Sequence, residues 1–189
     1  LHLCDRRQRQ MCIRDSVYTD EATFEGTDIT KIITRHCKPD FAIDNLRANN
    51  YICHFSTFKR NLLDKAGWFR KEYDGSQDHD IILRLREKAQ KVYHIPKILY
   101  YWRSHPNSVA LDINSKTYAI EAARKSVYSH LERCGLKGEV LGTVAFPTIF
   151  HIRYEIIGNP LVSIIIPNKD HGKDLLTCVA SILTKSSYK

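Results

Sequence analysis

Between residues 77 and 89, Ile81, Ile82, Leu85 and Ala89 make an apolar stripe at the spacing of one helical face. Asp74, Gly75 and Ser76 precede this stripe as stop and N-cap, so the pattern predicts a helix from about Gln77. Asp78 and Asp80 fall in its first turn, where the positive end of the helix dipole favours carboxylates. Upstream, residues 50–58 (NYICHFSTF) are rich in β-formers and predict a strand. Residues 60–66 predict a short helix that Gly67 ends, and residues 68–75 a loop. Downstream, KVYHIPKILYYWR reads as a strand, a proline break and a second strand. A further helix over about residues 115–134 closes at Gly135, and two β-like runs within 139–157, around Phe146 and Pro147, predict a hairpin.

Residues 17–50 show no sustained period and are expected to be irregular, with a loop at 38–41 (KPDF) because Pro39 excludes Lys38 from the helical region. The pattern changes at Gly158-Asn159-Pro160, which reads as a linker. Residues 161–167 (LVSIIIP) are continuously apolar, the mark of a strand buried on both faces of a parallel sheet. A polar turn at 168–170 and an amphipathic helix over 173–183 follow. A single β-turn-α unit cannot build a sheet, so this segment reads as the start of a second domain whose partner strands lie beyond Lys189.

Composition changes the picture in three places. With 43% hydrophobic and 26% charged residues over 189 positions, the chain can bury an ordinary globular core. It has neither an apolar run near the ~20 residues that span a bilayer nor an apolar segment of the secretory kind at its start, which makes the cytoplasm the expected compartment. Residues 1–16 (LHLCDRRQRQMCIRDS) follow no period and include MCIRDS, which resembles translated adaptor sequence, so they are read as a non-native leader. Without their four arginines and two aspartates the formal charge falls from +8 to +6. That excess fits an anionic ligand, an anionic membrane surface or a plainly solvated basic face. Cys37, Cys53, Cys134 and Cys178 form no CxxC pair and are expected to be buried, reduced thiols.

The segments YTDE, KPDF, NYICH, GWF, DGSQDHDIILR, HIPKILYYWRSHPNS and PLVSIIIPNKDH, in this order, resemble the family-two glycosyltransferases of bacterial polysaccharide, O-antigen and rhamnan synthesis. The likeness covers residues 17–110 and 160–189, and the helix and hairpin between them are also typical of tandem-domain members. It implies an α/β fold: a partial GT-A domain, Rossmann-like and built for nucleotide-diphospho-sugar transfer, then the first βα unit of a second GT-A domain. The organisation it implies is a leader at 1–16, the acceptor-side half of one transferase domain at 17–110, a helix and β-hairpin connector at 111–159, and the truncated start of a second domain at 160–189. In the family the SIIIPN-type strand precedes the QDHD-type motif. Here the order is inverted, which implies two cut domains in tandem.

The activity so implied is inverting, hexosyltransferase-type transfer from a nucleotide-diphospho-sugar to a glycan or lipid-linked glycan, in cytoplasm or at the inner face of the membrane. A carboxylate must take the proton of the attacking hydroxyl, and the resemblance gives that role to Asp78. The residues alone leave Asp78 as either a base or a helix cap. Asp80 and Gln77 are implied around the acceptor, with Asp80 alternatively a cap. Arg103 is a phosphate partner or a carboxylate partner, and Trp102 a sugar-stacking ring or core filling. Asp20 and Glu21 stand where the family carries an acidic pair, whereas Lys38 and Asp40 shape a loop. Tyr51 and His54 line the sugar side of a strand in the family, or simply pack. Pro167, Asn168 and Asp170 belong to the second domain's nucleotide pocket or to a plain turn. A divalent Mn²⁺ or Mg²⁺ is implied for the intact enzyme, with His105 as a ligand or a loop histidine. The donor-binding DxD motif is absent, because the one such spelling, Asp78-His79-Asp80, occupies the other motif's position. The isolated chain is expected to be inactive. The alternative from another class is a non-catalytic carbohydrate-binding or scaffold module derived from the same fold. A nucleic-acid role is set aside, since basic and aromatic residues do not interleave along one face.

Overall fold

The computed structural model describes residues 15–104 and 117–188. The chain divides into two compact units between Glu155 and Ile156. In the first, the long strand β1 (Ser16–Glu25) is the centre of a four-stranded mixed sheet. Along one edge it pairs antiparallel with β2 (Ile32–His36) and with the short β3 (Ser56–Phe58); along the other it pairs in parallel with β4 (Val92–Ser104). Helix α1 (Ile43–Ala48) follows β2, and α2 (Arg60–Ala66) follows β3. A 3₁₀ turn (Lys71–Tyr73) leads into α3 (Gln77–Lys88), and after β4 come α4 (Thr117–Arg133) and the antiparallel pair β5 (Gly138–Gly142) and β6 (Phe150–Tyr154). The class is mixed α/β.

Helix α3 is buried on two sides. Leu83 joins Tyr18, Leu46, Val127, Leu131 and Phe150 in one core cluster that α4 and the β5–β6 pair also feed. Ile81, Leu85 and Ala89 meet Leu62 and Leu63 of α2 in a second. At ~1.5–3 kcal/mol for each fully buried aliphatic or aromatic side chain, these two clusters hold the start of α3 firmly between α2 and α4. Among the described residues no helix is long and apolar enough to cross a membrane.

Four expectations are corrected. Residues 17–50 are largely regular, since β1, β2 and α1 occupy them. Their alternation is hidden because Asp20 and Glu21 are buried in mid-strand with partners of their own. Conversely, only 56–58 of the expected strand 50–58 is a strand. Cys53 (φ 43°) and Phe55 (φ 53°) take left-handed backbone, and side chains rather than a ladder take up the loop's backbone groups: the Lys38 ammonium bonds the carbonyls of Ile52 (2.7 Å) and His54 (3.4 Å), and the Cys53 N–H donates to Asn50 Oδ1 (3.3 Å). Third, Pro96 does not break the strand. β4 runs through it on an edge, and the pairing with β1 slips at Thr19–Glu21 to leave the proline unpaired. Fourth, the four described thiols are free, but Cys37, Cys134 and Cys178 are exposed and only Cys53 is partly buried.

Two residues read as leader are tied into the sheet. Ser16 opens β1, and the Asp15 carboxylate accepts from the backbone N–H groups of Gln90 (2.7 Å) and Lys91 (3.2 Å) while pairing with Lys59 (3.0 Å). In the second unit, α5 (Gly172–Lys185) is the expected amphipathic helix. Residues 161–167 form no ladder among the described residues, and Leu161, Val162, Ile164 and Ile165 are exposed. A strand is defined by its neighbour's hydrogen bonds, and no described strand supplies them.

Candidate functional site

Asp78 lies in the first turn of α3 and is exposed. It does not cap the helix. Its Oδ2 accepts a hydrogen bond from Asn50 Nδ2 at 2.8 Å, from the left-handed loop, and its other oxygen has no partner among the described residues. Ser76 occupies the N-cap position but makes no side-chain cap bond. Gln77, also exposed, spends its Oε1 on the Gly75 N–H (2.9 Å) and so braces the turn before the helix.

Asp80 has a different task. It is completely buried and held by two guanidinium groups. Arg84, one turn on, donates Nε (3.0 Å) and Nη2 (2.7 Å) to Asp80 Oδ2. Arg70 closes on both oxygens of the same carboxylate. Burial pushes the Asp80 carboxyl up, but the hydrogen bonds of Arg70 and Arg84 outweigh it and hold its pKa below the ordinary value. Arg84 also caps the end of α2, donating to the carbonyls of Ala66 (2.6 Å), Gly67 (2.9 Å) and Trp68 (2.9 Å). One buried fork therefore locks α2, the loop after it and the first turn of α3 together. The Asp80 carboxylate, fully buried and held by both arginines, presents no face to solvent.

Asp20 and Glu21 stand side by side on β1, both buried. Asp20 Oδ1 accepts from the Lys38 backbone N–H (2.9 Å) and lies 2.8 Å from His94 Nε2, whose other ring nitrogen is 3.3 Å from Asp40 Oδ1. Glu21 Oε2 meets Lys38 Nζ and His54 Nδ1, each at 3.1 Å. Burial works against the Glu21 carboxylate, yet the His54 hydrogen bond and the Lys38 charge hold its pKa low. Tyr18 secures the turn that carries Lys38 by donating to Pro39 O (2.6 Å) and stacking on His94, with ring centroids 4.8 Å apart. The His54 ring stacks on Tyr100 (5.2 Å) and Trp102 (5.6 Å) of β4, so Trp102 belongs to a partly exposed aromatic group rather than to either core cluster. Cys53 joins the two halves of the site. Burial, with the charges of Asp78 and Glu21 nearby, pushes its thiol up to about 12, so it is no nucleophile at neutral pH.

Arg103 is exposed, with its guanidinium 5.5 Å from the centre of the Phe24 ring and no carboxylate partner among the described residues. His105 lies outside the described residues. Pro167, Asn168 and Asp170 are exposed in the turn before α5, with Asp170 in left-handed backbone (φ 60°). A cavity of about 640 Å³ between α4 and β5, lined by Arg124, Lys125, Tyr128 and Leu141 among others, does not include Asp78.

The described residues offer no open ligand set for a divalent cation. At the acidic pair, Lys38 and two histidines already bond Asp20 Oδ1 and Glu21 Oε2, and the Lys38 ammonium stands where a cation would have to enter. Glu87, His130 and Cys134 lie close enough to hold an ion. However, Arg133 forks onto Glu87 (2.7 Å), His130 Nδ1 faces Glu87 (2.8 Å), and Arg47 donates to His130 Nε2 (3.2 Å). Because Arg47 can only donate, Nε2 accepts and the Nδ1 proton goes to Glu87, which leaves no ring lone pair for a metal.

Asn50, Arg70 and His94 had no signal in the one-dimensional pattern. Arg84 is the exception in part: a charged residue four places after Asp80, on the face that also carries Ile81 and Leu85, marks a buried i,i+4 pair.

No family model matches the chain. An uncharacterized protein, y4gI, of Sinorhizobium fredii (strain NBRC 101917 / NGR234) is 41% identical over 172 residues, covering 86% of this chain and 19% of that protein. The O-antigen biosynthesis protein RfbC of Myxococcus xanthus is 36% identical over 151 residues, covering 80% of this chain and 12% of that protein. The chain thus spans 19% and 12% of the lengths of these two curated relatives.

Proposed function

We propose that this chain is the acceptor-side part of an inverting glycosyltransferase of the GT-A, Rossmann-like type, working in bacterial cell-surface polysaccharide synthesis. Its donor is a nucleotide-diphospho-sugar and its acceptor a glycan or lipid-linked glycan at the cytoplasmic face of the membrane. The ordered motifs around residues 17–110 and the likeness to an O-antigen biosynthesis protein support this reading. The observation that carries it is Asp78: a solvent-facing carboxylate at a helix start, one oxygen held by Asn50 and the other open.

In the reaction, the open oxygen of Asp78 takes the proton of the acceptor hydroxyl as that oxygen bonds to the anomeric carbon. The bond from that carbon to the diphosphate breaks on the opposite face, inverting the configuration. Asn50 fixes the plane of the carboxylate, and the Asp80–Arg84–Arg70 lock fixes the helix that carries it. His54, Tyr100 and Trp102 present a ring surface beside the acidic pair for a sugar. The divalent cation implied for the intact enzyme finds no open ligand set among the described residues, so no step runs through it. Residues 160–189 belong to a second transferase unit, and Pro167, Asn168 and Asp170, in the turn before α5, are its nucleotide-binding candidates.

The test is a chimera in which residues 15–159 replace the matching part of the Myxococcus xanthus protein, with O-antigen scored in cells. The chimera restores O-antigen and its Asp78→Asn form, at equal protein level, does not. Full O-antigen from the Asp78→Asn chimera sinks the assignment.

A further inference from the structure

Among the described residues, two buried side-chain polar atoms have no hydrogen-bond partner in the protein, Ser56 Oγ and Arg86 Nε. They come from different elements, β3 and α3, yet both residues line one small cavity. A buried donor or acceptor without a partner is strongly disfavoured, and native proteins satisfy nearly all of them. Neither residue is free to turn elsewhere. Arg86 Nη1 donates to Ala89 O (2.9 Å), and the guanidinium lies over the Phe41 ring at 4.8 Å, so the arginine is held at both sides. Ser56 pairs with Tyr18 in the β1–β3 ladder, which fixes its backbone.

The size and wall of the cavity select the ligand. It leaves about 20 Å³ for the centre of a water-sized sphere. One water needs ~10–15 Å³ and two to four polar partners. An organic molecule or a hydrated ion does not fit. The rest of the wall is mostly apolar, with Ile52, Phe58, Ile82, Leu85 and Val92, so a bare halide would exchange its whole hydration shell for two donors. Arg86 is partly exposed, so bulk solvent reaches its charge and no buried counter-ion is required. Water suits both orphan atoms, because it accepts from an N–H and donates to a hydroxyl oxygen. Ser16 brings a second hydroxyl to the same wall.

The geometry points to a binding site for one ordered water molecule, which accepts from Arg86 Nε and donates to Ser56 Oγ as a fixed part of the fold. Its position gives it a task. Ile52 belongs to the first core cluster and Leu85 to the second, while Ile82 and Val92 pack against both. The water lies at this junction and ties β3 to the C-terminal half of α3. Helix α3 is thus held at two ends by different means, by the Asp80–Arg84–Arg70 lock beside Asp78 and by a bridging water one and a half turns further on.

The test is a crystal structure of the whole chain grown in sodium bromide, at a resolution that orders solvent. Magnetic relaxation dispersion of the water oxygen accompanies it in solution and counts the waters held for longer than the protein takes to tumble. The expected result is a single peak without anomalous signal within ~3.2 Å of both Arg86 Nε and Ser56 Oγ. In solution, S56V should hold one long-lived water fewer than the parent chain. Ser56→Val replaces the hydroxyl with a methyl and adds another, so it removes a polar partner and the room together. Far-UV melting checks that S56V is folded, and the crystal needs no substitution. An anomalous bromide peak at the site overturns the proposal in favour of an anion. The absence of a peak between the two atoms, or Arg86 Nε bonded to a protein group, overturns it as well. So does an equal count of long-lived waters in the parent and in folded S56V.

Discussion

Asn50 donates to the Asp78 carboxylate across 2.8 Å from a loop 28 positions earlier in the chain. The same side chain accepts the Cys53 N–H, so the residue that orients the candidate base also holds the left-handed turn leading to His54 and Glu21. Removing the base and removing its holder therefore have different signatures. In the chimera, Asp78→Asn lowers transfer by ~10²–10⁴-fold, the usual range for loss of a general base. Asn50→Ala leaves the base present but unoriented, and a loss of about tenfold is expected, since one hydrogen bond to a charged group is worth ~1.5–3 kcal/mol. Asp78→Asn leaves the melting temperature nearly unchanged, because its side chain is exposed, whereas Asn50→Ala also releases the Cys53 N–H and lowers it modestly. Initial rates with thermal melts check this, and an Asn50→Ala loss equal to that of Asp78→Asn contradicts the hierarchy.

The lock around Asp80 behaves in the opposite way. Arg84→Met leaves the carboxylate buried with one partner and uncaps three carbonyls at the end of α2. Breaking a buried pair from one side costs ~3–5 kcal/mol, so urea unfolding of the whole chain should show a loss in that range. Arg84→Lys recovers little, because an ammonium cannot reach Asp80 and three carbonyls in one plane. If Arg84→Lys is as stable as the parent, the fork geometry is not what matters.

How much of this was legible beforehand follows from which residues carry the pattern. Helix α3 and its acidic first turn were readable because Ile81, Leu85 and Ala89 repeat at helical spacing and Gly75-Ser76 precedes them. Strand β1 was not, because a buried carboxylate paired with Lys38 looks in one dimension like a solvated loop acid. The turn at 50–55 misled in the reverse direction: Tyr, Ile, Cys and Phe favour strands, but the Lys38 ammonium takes the carbonyls a ladder needs. Lys38 lies 14 or more positions away from each side-chain or loop group it bonds, and no local period carries such a contact. The site is written in these long-range polar pairs, which is why its holders, Asn50, Arg70 and His94, emerged only with the fold.

Acid should weaken the first unit in two windows. Burial pushes the His79 imidazole below its ordinary 6.5, and its Nε2–H donates to Leu46 O at 2.7 Å, so the folded ring stays neutral. The unfolded chain binds a proton there first, and stability falls as pH drops below about 6.5 toward the lower folded value. Burial of Glu87 is outweighed by the hydrogen bonds of His130 and Arg133, which take its pKa from 4.5 to about 2. Its contribution is complete above 4.5 and is lost as pH falls from 4.5 to about 2. Each group gives a slope of at most about 1.4 kcal/mol per pH unit. Urea midpoints at pH 7.5, 5.5 and 3, set against His79→Gln and Glu87→Gln, check the assignment. The gap between the parent and Glu87→Gln should close only in the lower window.

Gly75 offers a test of how tightly α4 holds the site. It precedes α3 with φ +91°, a backbone that side chains rarely adopt, and a Cβ there would meet Tyr118 Cε2 at 2.8 Å and Ala119 Cβ at 2.9 Å. Tyr118 is 58% exposed and can swing aside, but Ala119 is buried on α4 and cannot. Gly75→Ala therefore combines left-handed strain of ~1–2 kcal/mol with an overpacking cost of ~1–3 kcal/mol. The turn can yield only by displacing the Gly75 N–H from Gln77 Oε1, which lies immediately before Asp78. The expected outcome is a loss of roughly 2–5 kcal/mol from these two terms together, with transfer by the chimera falling more steeply than the folded fraction. Tyr118→Ala in the same background should recover little, because the contact with Ala119 persists. Full rescue by Tyr118→Ala would show that the aromatic ring, and not the helix behind it, sets the position of the turn.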